Sequence, residues 1–165
     1  MKKALIIIDV QKGFINKRTL KTAIRIKNFI KKHRDDYDLL IFTKYFNHQG
    51  SNFVKNLKWL GFMKAEQTDF ADQIKEFVNN KNVFLKDTYG CFVDSKLYNL
   101  LKKHKIAQVE LAGFDTENCV LTFARDAFDR GMSVVVLKNL SASHSMPQLH
   151  KAALEIIKHN IGAVK

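Results

Sequence analysis

Five short apolar runs, each followed by a polar turn or a helical pattern, constrain this sequence more than any other feature. They fall at residues 5–8, 39–43, 83–86, 109–112 and 134–137. Each is continuously apolar, where a strand with one wet face would alternate. Helical spacing lies between them. Ala23, Ile26 and Ile30 share one face of a first helix, and Asp94 is placed to cap a helix carrying Leu97, Leu100 and Leu101. After Cys119, Val120, Phe123, Ala124, Ala127 and Phe128 repeat at helical intervals until Gly131. A last helix starts near Pro147 and carries Leu149, Ala152, Ala153, Ile156 and Ile157. Strands alternating with helices predict an α/β fold: a three-layer α/β/α sandwich with right-handed crossovers and a mostly parallel sheet of five or six strands. Residues 48–80 carry the weakest pattern, with Trp59, Gly61 and Phe62 followed by a short helix predicted near 70–78.

Size fits one domain spanning residues 1–165, because 165 residues can bury one good core and rarely two. With 46% hydrophobic residues and a single proline, the chain reads as folded throughout, without a linker or tail. The two cysteines, Cys91 and Cys119, suit a reduced, cytoplasmic setting better than a disulfide framework. The basic start at Lys2 and Lys3 precedes an apolar run too short for a signal core and ended by Asp9, so it reads as a strand. No run is long enough to span a bilayer. A net charge of +12 arises from 28 basic and 16 acidic residues. The lysines are scattered rather than blocked, which favours a solvated surface over a nucleic-acid partner; the same charge would attract acidic small molecules.

Functional groups of a parallel sheet gather at the carboxyl ends of its strands. Asp9 follows the first strand, Lys86 ends the third, and Cys119 follows the fourth. All three are therefore expected on one rim. A thiol at a helix start meets unpaired amides and the positive end of the macrodipole, which ease its ionisation. Asp9 would act as general base, Lys86 as its electrostatic and orienting partner, and Cys119 as the nucleophile toward a small amide, ureide or related carbonyl, through a thioester. Backbone N–H groups of Asp115 and Cys119 would hold the oxyanion. Phe14, Tyr45, Trp59, Tyr89 and Phe114 are candidate pocket walls. Cys91 reads as a packing residue, and His150 as a structural hydrogen-bonder.

Three segments carry a family resemblance. Asp9-Val10-Gln11-Lys12-Gly13-Phe14 resembles Asp-x-Gln-x-x-Phe. Lys86-Asp87-Thr88-Tyr89-Gly90-Cys91-Phe92 resembles Lys-x-x-Tyr-Ser/Gly-x-Phe. Gly113-Phe114-Asp115-Thr116-Glu117-Asn118-Cys119-Val120 resembles Gly-x-x-Thr-Asp/Asn-x-Cys-Val. In order and spacing they are similar to the isochorismatase-like cysteine hydrolases, which include nicotinamidases. The resemblance implies a Rossmann-like sheet, the triad Asp9, Lys86 and Cys119, a cis peptide between Phe114 and Asp115, no cofactor, a small-molecule substrate, and a homodimer or homotetramer. Nicotinamidases of the family carry an Asp-x-His…His metal cluster after the second strand. Here that segment offers His48 with no carboxylate beside it, so no metal site is expected. Other readings are vinyl-ether hydrolysis on the same fold, an inactive basic module that binds a polyanion, and a phosphate-receiving switch at Asp9, which lacks the usual paired acid.

Overall fold

In the computed structural model, which describes residues 1–162 and 164–165, five strands form one wholly parallel sheet. They are β1 (Lys3–Ile8), β2 (Leu39–Tyr45), β3 (Val83–Lys86), β4 (Gln108–Phe114) and β5 (Ser133–Ala142). The helices are α1 (Leu20–His33), α2 (Asn52–Leu57), α3 (Ala65–Thr68), α4 (Ser95–Lys103), α5 (Leu121–Asp129) and α6 (Pro147–Asn160). The strand order is β3-β2-β1-β4-β5. The chain thus winds outward in one direction from β1 and in the other from β4. The crevice between the carboxyl ends of those two strands is where such a sheet accepts ligands.

Alternation within β1 divides the core into two layers. Leu5 and Ile7 meet Ala23, Ile26 and Ile30 of α1 on one face. Ala4, Ile6 and Ile8 meet Leu97 and Leu101 of α4, Phe123 and Ala127 of α5, and Ile157 of α6 on the other. Sequence and caps agree at the helix ends. Asp94 Oδ1 accepts from the Lys96 N–H at 2.9 Å, Pro147 opens α6, and Gly131 takes φ 78° just past α5.

Two local expectations need correcting. The helix predicted near 70–78 is a single 3-10 turn, Lys75–Phe77. Ile74 is fully buried there, but the neighbouring apolar residues fix loops rather than a helical face. Nor is β3 covered on both faces: Leu85 is 61% exposed, because β3 is the edge strand. Among the described residues no helix is long and apolar enough to cross a membrane.

Candidate active site

The chain turns as soon as β1 ends. Asp9 adopts a left-handed backbone conformation (φ 51°), and its C=O accepts from the Gln11 N–H at 2.8 Å. Such a conformation in a non-glycine residue costs about 1–3 kcal/mol, so its surroundings must enforce it. Thr43, near the end of β2, grips Asp9 twice. Its hydroxyl donates to Asp9 Oδ1 at 2.7 Å and accepts from the Asp9 N–H at 3.2 Å. Gln11 locks the same corner. Its buried amide donates to the carbonyls of Tyr45 and Thr68, each at 2.7 Å, and accepts from the Tyr45 N–H at 2.8 Å.

Lys86, the last residue of β3, reaches across the end of β2 to this corner. Its ammonium lies 2.7 Å from Asp9 Oδ2 and donates to the Thr88 carbonyl at 2.9 Å and to Cys119 Sγ at 3.2 Å. The contact with Asp9 Oδ2 is a buried ion pair. A carboxylate oxygen carries more than one lone pair, so Oδ2 can also accept the thiol proton. Cys119 lies in a π-helical turn, Thr116–Val120, that leads from β4 into α5. The peptide between Phe114 and Asp115 is cis, and among the described residues the Asp115 N–H has no acceptor. The rim thus brings Asp9, Lys86 and Cys119 together from the ends of three strands.

The electrostatics correct one expectation. The helix start was read as easing ionisation of Cys119. Burial instead pushes the thiol well above the ordinary range; Lys86 lowers it, and the neighbouring Asp9 carboxylate raises it further. Burial thus favours the neutral form of the sulfur over the thiolate. Burial acts against the Lys86 ammonium too, but the Asp9 carboxylate beside it more than offsets this and holds Lys86 above the usual lysine range. Cys91 is buried in the α4/α5 layer, and burial pushes its thiol up to about 12.

A cavity of about 360 Å³ opens over the sulfur. Phe14, Tyr45, Phe53, Leu57, Trp59 and Tyr89 form an apolar wall, and Asp115, Asn118, Cys119 and His144 form a polar one. Four of the five aromatic residues expected at the pocket are there. Phe114 is the exception: it points with Ala112 into the α1 core and is fully buried. Phe53, Leu57, Asn118 and His144 were not anticipated from the sequence.

An isochorismatase domain model matches residues 3–165. The chain belongs to the isochorismatase family. It is 27% identical to the isochorismatase family protein PncA of Bacillus subtilis (strain 168), over 99% of this chain and 98% of that protein. It also resembles the crystal structure of a nicotinamidase PncA from Bacillus subtilis, at 26% identity over 99% of both chains with a TM-score of 0.86. A pyrazinamidase/nicotinamidase from Streptococcus mutans UA159 is similar at 26% identity, over 99% of this chain and 100% of that one, with a TM-score of 0.84. The protein is thus a hydrolase of the isochorismatase family with an α/β fold.

In this hydrolase the metal cluster of nicotinamidases does not fit. A carboxylate does accompany His48, contrary to expectation. It comes from Asp87, just past β3, with Oδ2 at 3.1 Å from His48 Nε2. Parallel strands place the two side by side although 39 positions separate them. Two groups do not make a metal site, and among the described residues no group of three or more His, Cys, Asp or Glu side chains could hold an ion.

Two further polar features mark the cavity. The Tyr45 hydroxyl is buried and has no hydrogen-bond partner among the described residues. An unsatisfied buried hydroxyl is costly, so Tyr45→Phe is expected to stabilise the protein by about 1 kcal/mol. Urea denaturation would measure it, and a loss of stability would contradict the assignment. Elsewhere in the lining, Asp115 Oδ1 accepts from the His144 N–H at 2.8 Å, and Oδ2 lies 2.5 Å from His144 Nδ1. Glu117 binds the same segment through Ser143 Oγ, which donates to it at 2.6 Å. His150 faces Thr116 Oγ1 at 2.8 Å, tying α6 to the turn that carries Cys119, as its structural reading anticipated.

Proposed function

We propose that the protein cleaves a small-molecule C–N bond, in an amide or ureide, through a thioester on Cys119. The observation that carries this reading is the contact chain from Asp9 Oδ2 to Lys86 Nζ, at 2.7 Å, and on to Cys119 Sγ, at 3.2 Å, at the floor of a cavity. Burial disfavours a free thiolate, so the thiol proton leaves as the sulfur attacks. Asp9 Oδ2 takes that proton while the S–C bond forms and the carbonyl π pair moves onto oxygen. The Asp115 N–H, free of other acceptors, and the amide of Cys119 receive the oxyanion. Collapse expels the amine, which leaves with the proton from Asp9. Water then attacks the thioester, Asp9 takes a proton from it, and the acid departs as the Cys119 thiol is restored. Lys86 keeps the negative charge that passes between carboxylate and sulfur compensated throughout. No step uses a metal or cofactor.

Two solved relatives carry the name nicotinamidase, which favours an amide over other small acyl substrates. The test is a hydrolase screen of small amides, ureides and vinyl ethers against the native protein and Cys119→Ala. Turnover of an amide or ureide is expected, falling at least about 10³-fold in the variant. Activity that survives the substitution would reject Cys119 as nucleophile. Turnover of vinyl ethers alone would move the reaction away from acyl transfer.

A further inference from the structure

The triad accounts for the floor of the cavity and leaves its polar wall unexplained. His144 sits there, beside the strand-to-helix turn, with its edge against the ring of Phe14 at 5.2 Å between centroids. One side of the imidazole is committed: Nδ1 meets Asp115 Oδ2, and a carboxylate there requires Nδ1 to carry the proton. The other nitrogen, Nε2, has no hydrogen-bond partner among the described residues, and the side chain is 38% exposed. The Asn118 side chain lines the same cavity. The rest of the lining is aromatic or aliphatic, apart from the triad and its turn. A ligand that fills this cavity thus meets aromatic and aliphatic side chains together with the polar groups of Asn118 and His144.

We propose that His144 is a specificity-determining residue, and that its Nε2–H receives a carboxylate that the substrate carries away from its scissile bond. This rests on the cavity being the substrate site of the reaction proposed above. Substrates would then be small amides or ureides with an apolar or aromatic body and one anionic group.

The charges around the ring support a cationic donor. The hydrogen bond to Asp115 raises His144 above the ordinary imidazole range; burial opposes this, the charges of Asp115 and Glu117 add to the rise, and Arg18 subtracts from it. Asp115 lies on the Nδ1 side, so the cation it sustains is presented to the cavity through Nε2. Glu117 is turned to Ser143 at 2.6 Å and Ser145 at 3.5 Å, and does not line the cavity. At longer range, the net charge of +12 draws small anions toward the protein. The sign of the pH dependence follows. Anion preference is complete at low pH and is lost as pH rises through the elevated value of His144, while a benzoate-type carboxylate stays ionised throughout.

The test uses full-length Cys119→Ala, which binds without turning over, and calorimetry with the meta and para isomers of carbamoylbenzoate against their neutral diamides. At least one carboxylate isomer is expected to bind about tenfold or more tightly than its diamide near neutral pH. Adding His144→Gln is expected to reduce that ratio to about twofold or less. With His144 intact, a titration from about pH 6 to about pH 10 should remove the preference, a readout that does not depend on how the variant folds. Equal affinities, a preference that survives His144→Gln, or no measurable binding of either carboxylate isomer would overturn the proposal. Loss of the preference in a protein that still hydrolyses amides through Cys119 would leave the cysteine mechanism standing. Conversely, carboxylate binding that depends on His144 in a protein without turnover would separate recognition from chemistry.

Discussion

Lys86→Met is expected to cost about 3–5 kcal/mol of folding stability and most of the activity. The substitution keeps the length of the side chain and much of its apolar stem. What it removes is the counter-charge of a carboxylate with no solvent exposure. Asp9 would keep the hydrogen bond from Thr43 on one oxygen and be left with a bare charge on the other. The reverse variant, Asp9→Asn, strands the ammonium, which is 5% exposed. The two should not add. Because each single change leaves an uncompensated buried charge and the double change leaves none, Asp9→Asn with Lys86→Met should recover much of the lost stability but none of the activity. Urea denaturation of the four proteins gives the coupling directly. Additive losses would mean that the pair is not the compensated unit described here.

Gly113→Ala is expected to be the most damaging single methyl group in the chain. Gly113 pairs with Ile8 across β1 and β4 and has φ 125°. A Cβ there would lie 2.0 Å from the Ile8 carbonyl oxygen and 2.7 Å from its nitrogen. These are backbone atoms of the central strand and cannot swing aside. Relief requires parting β1 from β4 at the rim, one residue before Asp9 and six before Cys119. The expected loss exceeds about 4 kcal/mol, enough to prevent folding or leave little native protein. Gly131→Ala is the control. It also has positive φ, at 78°, but a Cβ there meets nothing within 4 Å. Its cost should be the backbone term alone, about 1–2 kcal/mol. Circular dichroism and thermal melts of the two variants compare steric clash with conformational preference. Similar melting temperatures would contradict the placement of Gly113.

The sheet and the three rim residues were legible because their physics is local or topological. A parallel strand must be apolar on both faces, and the five runs showed it. Once the strands are parallel, whatever follows them shares an edge, so Asp9, Lys86 and Cys119 could be placed together without coordinates. The aromatic wall was only partly legible. Between β2 and β3 the chain turns at Lys58 (φ 55°) and Phe62 (φ 61°), neither of them a residue that announces a left-handed turn. The Phe53, Trp59 and Phe62 rings are fixed by packing against Tyr45, with centroids 5.3–6.0 Å from its ring. No periodicity encodes that. His144 was illegible for a different reason: its partner, Asp115, is 29 positions earlier, and only the pairing of β4 with β5 brings their segments together. The burial of Cys119 was not legible, because a helix start is visible in sequence and the depth of the packing around it is not.

The most direct measurement is to trap the acyl group. Native protein turning over an activated acetate ester, quenched in acid within the first turnovers, should retain the acyl group, because acid leaves no base to activate water for deacylation. Intact-mass and peptide mass spectrometry should find one acetyl group per chain, attached to the sulfur of Cys119 and removable by hydroxylamine. An acetyl group on Cys91, or an unmodified Cys119 in a protein that still turns the ester over, would contradict the account.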